Sequence, residues 1–179
     1  MKITQEDVLA LVKAYLDYFI DVSPKEEVVK VDIWFRHREA GGERAVPGSL
    51  TIPSFTPPEL ADAIRNWLPE ALKKVETDAK SQDGRLRMSY SNAVVSYVYY
   101  NDYSGLHVKI LVPTERAESD LKFAIGRTMS EVIYIASKYI YDKLRQQEVQ
   151  SIVSDRSSNL WPLLALAGIG TFILLNKKK

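Results

Sequence analysis

The chain has 179 residues, 24 basic against 23 acidic, 46% hydrophobic content and no cysteine. Three of the basic residues follow Leu160 and every acidic one precedes it, leaving 21 basic against 23 acidic in the rest, with no basic block of the kind that phosphate contacts require. Disulfides, thiol catalysis and zinc-thiolate sites are excluded together, and the size before Leu160 suits one globular domain rather than a disordered chain.

The first residues, Met1 to Asp7, lack a basic stretch followed by an apolar one, so no signal peptide is expected and the folded part should stay where it is made. Thr4 with Asp7 three residues on makes a shortened capping box. It opens a helix whose apolar residues Val8, Leu11, Val12, Tyr15 and Phe19 keep helical spacing to about Val22, with Leu9, Leu16 and Ile20 as a second stripe.

Ser23-Pro24-Lys25-Glu26 turns the chain. Val29, Val31, Ile33 and Phe35 then alternate with Lys30, Asp32, Trp34 and Arg36, the pattern of a strand with one buried face. Gly41-Gly42 suggests a hairpin into a return strand around Ser49 to Ile52, placed at an edge by Pro47 and Pro53. Thr56, Pro57 and Glu59 read as N-cap, N1 and N3 of a helix that buries Leu60, Ala63, Ile64, Trp67, Leu68, Ala71, Leu72 and Val75, with Pro69 expected to kink or split it.

A turn at Asp83-Gly84 leads into a strand region from Arg85 to Tyr100, a loop from Asn101 to Gly105, and a strand with Leu106, Val108, Ile110 and Val112 on one face. From about Glu115 a long helix carries the stripe Leu121, Ile125, Met129, Val132, Ala136, Ile140 and Leu144. Two strand-strand-helix copies are suggested by the matching corners Ile52-Pro53-Ser54 and Val112-Pro113-Thr114. The expected fold class is α+β: a two-layer sandwich of an antiparallel sheet, about four strands in two hairpins, with three helices, followed by a C-terminal transmembrane helix.

That last element is an unbroken apolar run from Leu160 to Leu175. A helix of this length is roughly 24 Å long, short of the ~30 Å hydrocarbon core, but Trp161 at one end and Lys177, Lys178 and Lys179 at the other extend it to the interfaces. The run is apolar all round, its middle is near Leu166, and Ala167 with Thr171 forms a small-xxx-small pair suited to close helix approach. The expected layout is a soluble domain over 1–144, a polar stalk over 145–159, a single membrane span over 160–176 and a basic tail over 177–179. The soluble domain is expected on the cytoplasmic, or virion-shell, side, although lysines beyond the span pull the other way.

No nucleophile elbow, phosphate-binding loop or dinucleotide turn is present. His37 and His107 lack metal-ligand spacing and read as exposed residues on polar strand faces, so no catalytic residue, cofactor or metal is assigned. The unusual feature is tyrosine: Tyr97, Tyr99, Tyr100 and Tyr103 crowd one segment, and Tyr99 and Tyr100 must point to opposite faces of a strand. With Tyr134 and Tyr141 on the long helix they form the candidate partner-binding set.

The functional expectation is a non-enzymatic, membrane-anchored structural or adaptor protein that tethers a larger protein assembly, a cellular complex or a membrane-containing virion, to a membrane. Its partners would be the lipid bilayer and other proteins of that assembly, a homo-oligomer being compatible and nucleic acid not expected. The alternative is a membrane-surface hydrolase or transferase whose site forms only in the fold. A pore-forming or lytic protein ranks third, since a sole short span without a polar stripe argues against it.

Overall fold

The structure, a computed structural model, describes residues 3–37, 58–81, 83–87 and 92–175, the side chains of 37, 58, 59, 87, 149 and 151–175 excepted. It divides into two compact units, Met1–Tyr141 and Asp142–Lys179. Among the described residues the fold is α+β, with a four-stranded antiparallel sheet and three α-helices.

Helix α1 (Gln5–Tyr15) starts at a complete capping box, in which the Thr4 hydroxyl accepts from the Asp7 amide and the Asp7 carboxylate accepts from the Thr4 amide at 2.8 Å. Aspartate, one methylene shorter than glutamate, still closes it. The helix does not reach Val22. Leu16 turns to extended backbone, and Leu16–Pro24 is strand β1. The apolar residues of this segment fit both periods, and pairing along the full length of the next strand decides between them.

That strand, β2 (Val28–His37), lies between β1 and β4 (Gly105–Pro113), and β3 (Val94–Asn101) closes the far side, giving the order β1-β2-β4-β3. The first hairpin is therefore β1-β2, through the turn at Lys25. Both edges of β2 are taken, so the expected return strand at 49–52 finds no free edge there; it lies outside the described residues, as do the Gly41-Gly42 turn and the Thr56-Pro57 cap. Strand pairs β1-β2 and β3-β4 are each followed by a helix, α2 (Pro58–Lys80) and α3 (Ala117–Leu175), and their inner strands meet at the sheet centre. The expected strand from Arg85 begins only at Val94; Arg85–Arg87 is a 3-10 turn.

The buried face of the sheet is built by alternation. Val31, Ile33 and Phe35 on β2 and Leu106, Val108, Ile110 and Val112 on β4 are fully buried, each contributing ~1.5–3 kcal/mol of transfer free energy. Helix α2 packs here through Ile64, Leu68, Leu72 and Val75, and it runs through Pro69 as one helix. On α3 the buried residues are Ala124, Thr128, Glu131, Val132, Ile135, Ala136, Ser137 and Ile140, whereas Leu121, Ile125, Met129 and Leu144 are only half-buried. Two polar contacts join this helix to its neighbours. Arg85 donates to the buried Glu131 through Nε at 2.5 Å and Nη2 at 3.2 Å, and the Tyr139 hydroxyl donates to Glu70 on α2 at 2.9 Å.

Beyond Tyr141, α3 continues to Leu175, so the segment expected as a partly helical stalk is helix throughout. No helix is long and apolar enough to cross a membrane among the residues whose side chains are described, which do not include the apolar run from Leu160.

Candidate binding face

The second face of the sheet carries no helix among the described residues, and alternation assigns its side chains. Opposite residues on neighbouring antiparallel strands share a face and lie close enough for side chains to touch. Phe19 on β1 is opposite Trp34 on β2, Trp34 opposite His107 on β4, and His107 opposite Tyr99 on β3. One ring from every strand thus forms a continuous row across the sheet, spanning roughly 14 Å over three strand gaps of ~4.8 Å.

The rings touch. Phe19 and Trp34 centroids are 5.6 Å apart, Trp34 and His107 stack at 4.7 Å with 5° between planes, and Tyr97 presents its edge to His107 at 5.4 Å while lying 6.1 Å from Tyr99. These separations fall in the favourable range for aromatic pairs. Solvent still reaches Phe19 at 64%, Tyr99 at 45% and Tyr97 at 43% of their surfaces.

A β-bulge brings both tyrosines here. Pairing with β4 shifts between Val95 and Tyr97, leaving Ser96 as the extra residue, with its hydroxyl bonded to the Lys109 carbonyl at 3.3 Å. Strict alternation from Val94 would have sent Tyr97 and Tyr99 to the helix side. The residue-by-residue pattern of the sequence does not signal this.

A second row runs Asp21, Asp32, Lys109, Tyr97. Asp32 is 3% exposed, and both its oxygens are paired: Oδ1 with His107 Nε2 at 2.7 Å and Oδ2 with Lys30 Nζ at 2.8 Å. Burial pushes its carboxyl up, but the hydrogen bonds and charges of Lys30 and His107 outweigh it, so Asp32 titrates below its ordinary value of 3.8. Lys109 lies 5.5 Å over the Tyr97 ring, and Arg36 Nε donates to the Ser104 carbonyl at 3.1 Å beside the row. The face is aromatic at its centre and mixed in charge at its margins.

Of the expected partner-binding residues, Tyr97 and Tyr99 meet on this face, and Tyr103 is 98% exposed at the tip of the β3-β4 turn. Asn101 holds that tip by accepting from the Tyr103 and Ser104 amides at 2.9 and 3.3 Å. Gly105 closes it at φ +82°, where a Cβ would lie 2.1 Å from the Phe35 carbonyl oxygen. Tyr100 instead points to the helix side, half-buried, its hydroxyl titration raised by burial and by Asp102. Tyr134 lies half-buried beneath the Arg85 guanidinium at 4.4 Å, and Tyr141 is half-buried on α3.

The sequence reading missed Phe19, Trp34 and His107. Their one visible signal is an aromatic residue in the polar register of a strand, as Trp34 is between Asp32 and Arg36. His107 is not the freely exposed residue expected, because Asp32 and Trp34 hold it; the His37 side chain lies outside the described residues. The side chains of Trp161, Leu166, Ala167 and Thr171, and Lys177, Lys178 and Lys179 altogether, also lie outside them.

A groove of about 540 Å³ runs beside β3, lined by Glu76, Lys80, Leu86, Val95, Tyr97 and Tyr99 among others. Its two charged residues pair with each other at 2.7 Å. Among the described residues no hydroxyl is hydrogen-bonded to His107, and no group of three or more histidine or acidic side chains is placed to hold a metal ion. Comparison with protein-family models, with curated proteins and with solved structures gives no match.

Proposed function

We propose that this chain is a non-enzymatic adaptor that grips a protein partner on its open sheet face and tethers that partner's assembly, cellular or virion, to a membrane through its C-terminal helix. The observation that carries the reading is the row Phe19, Trp34, His107, Tyr99: a pre-organised aromatic surface offers large contact area at low entropic cost, and tryptophan and tyrosine are the anchors that binding hot spots favour. Both signs of charge border the row, which suits a protein surface better than a polyanion. Support for the tether is the apolar run within α3 and the lysines after it. The test is Tyr99→Ser with Phe19→Ser, each expected to weaken binding to the assembly by ~1 to 3 kcal/mol while the isolated domain melts unchanged. Unaltered assembly with both variants overturns the reading.

The Asp32–His107 pair favours one other reading, a membrane-surface hydrolase in which the carboxylate orients the imidazole as a general base for water. Ester hydrolysis by the purified chain, abolished by His107→Gln, would establish it. The half-exposed stacking of His107 on Trp34 suits binding better.

A further inference from the structure

We propose that β1 is the dimerisation edge: two copies of this chain pair β1 with β1, antiparallel and registered on Ile20, into one continuous eight-stranded sheet. This edge is distinct from the open face, and the dimer does not depend on the partner proposed above.

Among the described residues nothing pairs with the backbone of β1 on the side away from β2. Natural proteins blunt such edges with bulges, internal prolines or charged side chains, lysine above all. Strand β1 has no bulge, no internal proline and no cation: its register with β2 is unbroken from Leu16 to Pro24, its proline is the terminal residue, and its only charges are Asp17 and Asp21. The opposite edge, β3, is bulged. Strand β1 also exposes large apolar side chains on both faces, Tyr18 at 56% and Val22 at 42% on one and Phe19 at 64% on the other.

Self-complementarity selects the occupant. A two-fold axis through Ile20 sets every residue of β1 opposite one of the second copy, Leu16 against Pro24 at each end. In that register Tyr18 faces Val22, Asp17 faces Ser23 and Asp21 faces Phe19, so both exposed apolar residues of the helix side are covered and no carboxylate opposes another. Centring on Phe19 sets Asp17 against Asp21 twice, and centring on Asp21 sets that aspartate against itself, each with like charges directly opposed. The pairing also places two aromatic rows side by side on one sheet, a bivalent surface.

The chain's lack of cysteine makes the test direct. The full chain in mild detergent should sediment with twice its 20.3 kDa of protein, and Tyr18→Lys, at an exposed site, should need at least tenfold more protein to dimerise while melting at the wild-type temperature when both proteins are dilute enough to be monomers. Single cysteines at positions 18, 19, 20, 21 and 22, oxidised in turn, should cross-link most at 20, the one position that meets itself. A monomeric wild-type chain, a dimer untouched by Tyr18→Lys, or cross-linking that does not peak at 20 would each overturn the proposal.

Discussion

Asp32 and His107, 75 residues apart in the chain, meet at 2.7 Å because β2 and β4 are neighbours, and the pair fixes the imidazole flat against Trp34. The buried carboxylate has both oxygens paired, since Lys30 takes the other one. The aromatic row is therefore tied at its centre to a buried carboxylate by a hydrogen bond.

This pairing predicts an acid-sensitive fold. The folded pKa of Asp32 lies below its ordinary value of 3.8, so its stabilising contribution is complete above that value and fades as the pH falls through the lower folded one. Asp32→Asn should cost ~1.5–3 kcal/mol at neutral pH, the worth of hydrogen bonds to a charged group, and much less in strong acid. Denaturant melts of both proteins from pH 7 to pH 2 check this; parallel stability curves would show that the ionisation of Asp32 does not set the acid sensitivity.

How far the sequence discloses this architecture depends on the distance over which each feature is decided. The α1 cap, the alternation of β2 and β4 and the apolar face of α2 are local, and all are legible. Strand β1 is not, because Leu16, Phe19 and Ile20 extend the helical spacing of Leu11, Val12 and Tyr15, and only pairing with β2 breaks the tie. The open face was half legible: opposite-facing Tyr99 and Tyr100 follow from alternation, but which one faces outward depends on a bulge at Ser96. Trp34 beside His107 requires knowing which strands are neighbours.

The unit Met1–Tyr141 should not need the apolar tail. Among the residues whose side chains are described, the buried apolar ones run from Val8 to Ile140 and precede residue 142, where the second compact unit begins. Removing residues 160–179 is expected to leave a domain that melts cooperatively and stays soluble without detergent. Aggregation on that deletion would show that the tail belongs to the core.

The tether predicts a depth-dependent effect in the tail. Leu166→Arg places a charge near the middle of the apolar run, at ~2.5 to 3.5 kcal/mol on insertion scales, whereas Lys178→Ala removes one interfacial anchor. After a carbonate wash, membranes should lose much of the first variant and retain the second. Equal retention would mean that protein contacts, not lipid, hold the tail.

The most direct test of the adaptor account is the solvent accessibility of the aromatic row in the native membrane-bound assembly, compared with the purified chain by hydroxyl-radical footprinting. Phe19, Trp34, Tyr97 and Tyr99 should be protected in the assembly, while Tyr141, outside the row, is labelled equally in both. Equal labelling of the row in the two states would contradict the account, leaving the aromatic face as sheet packing alone.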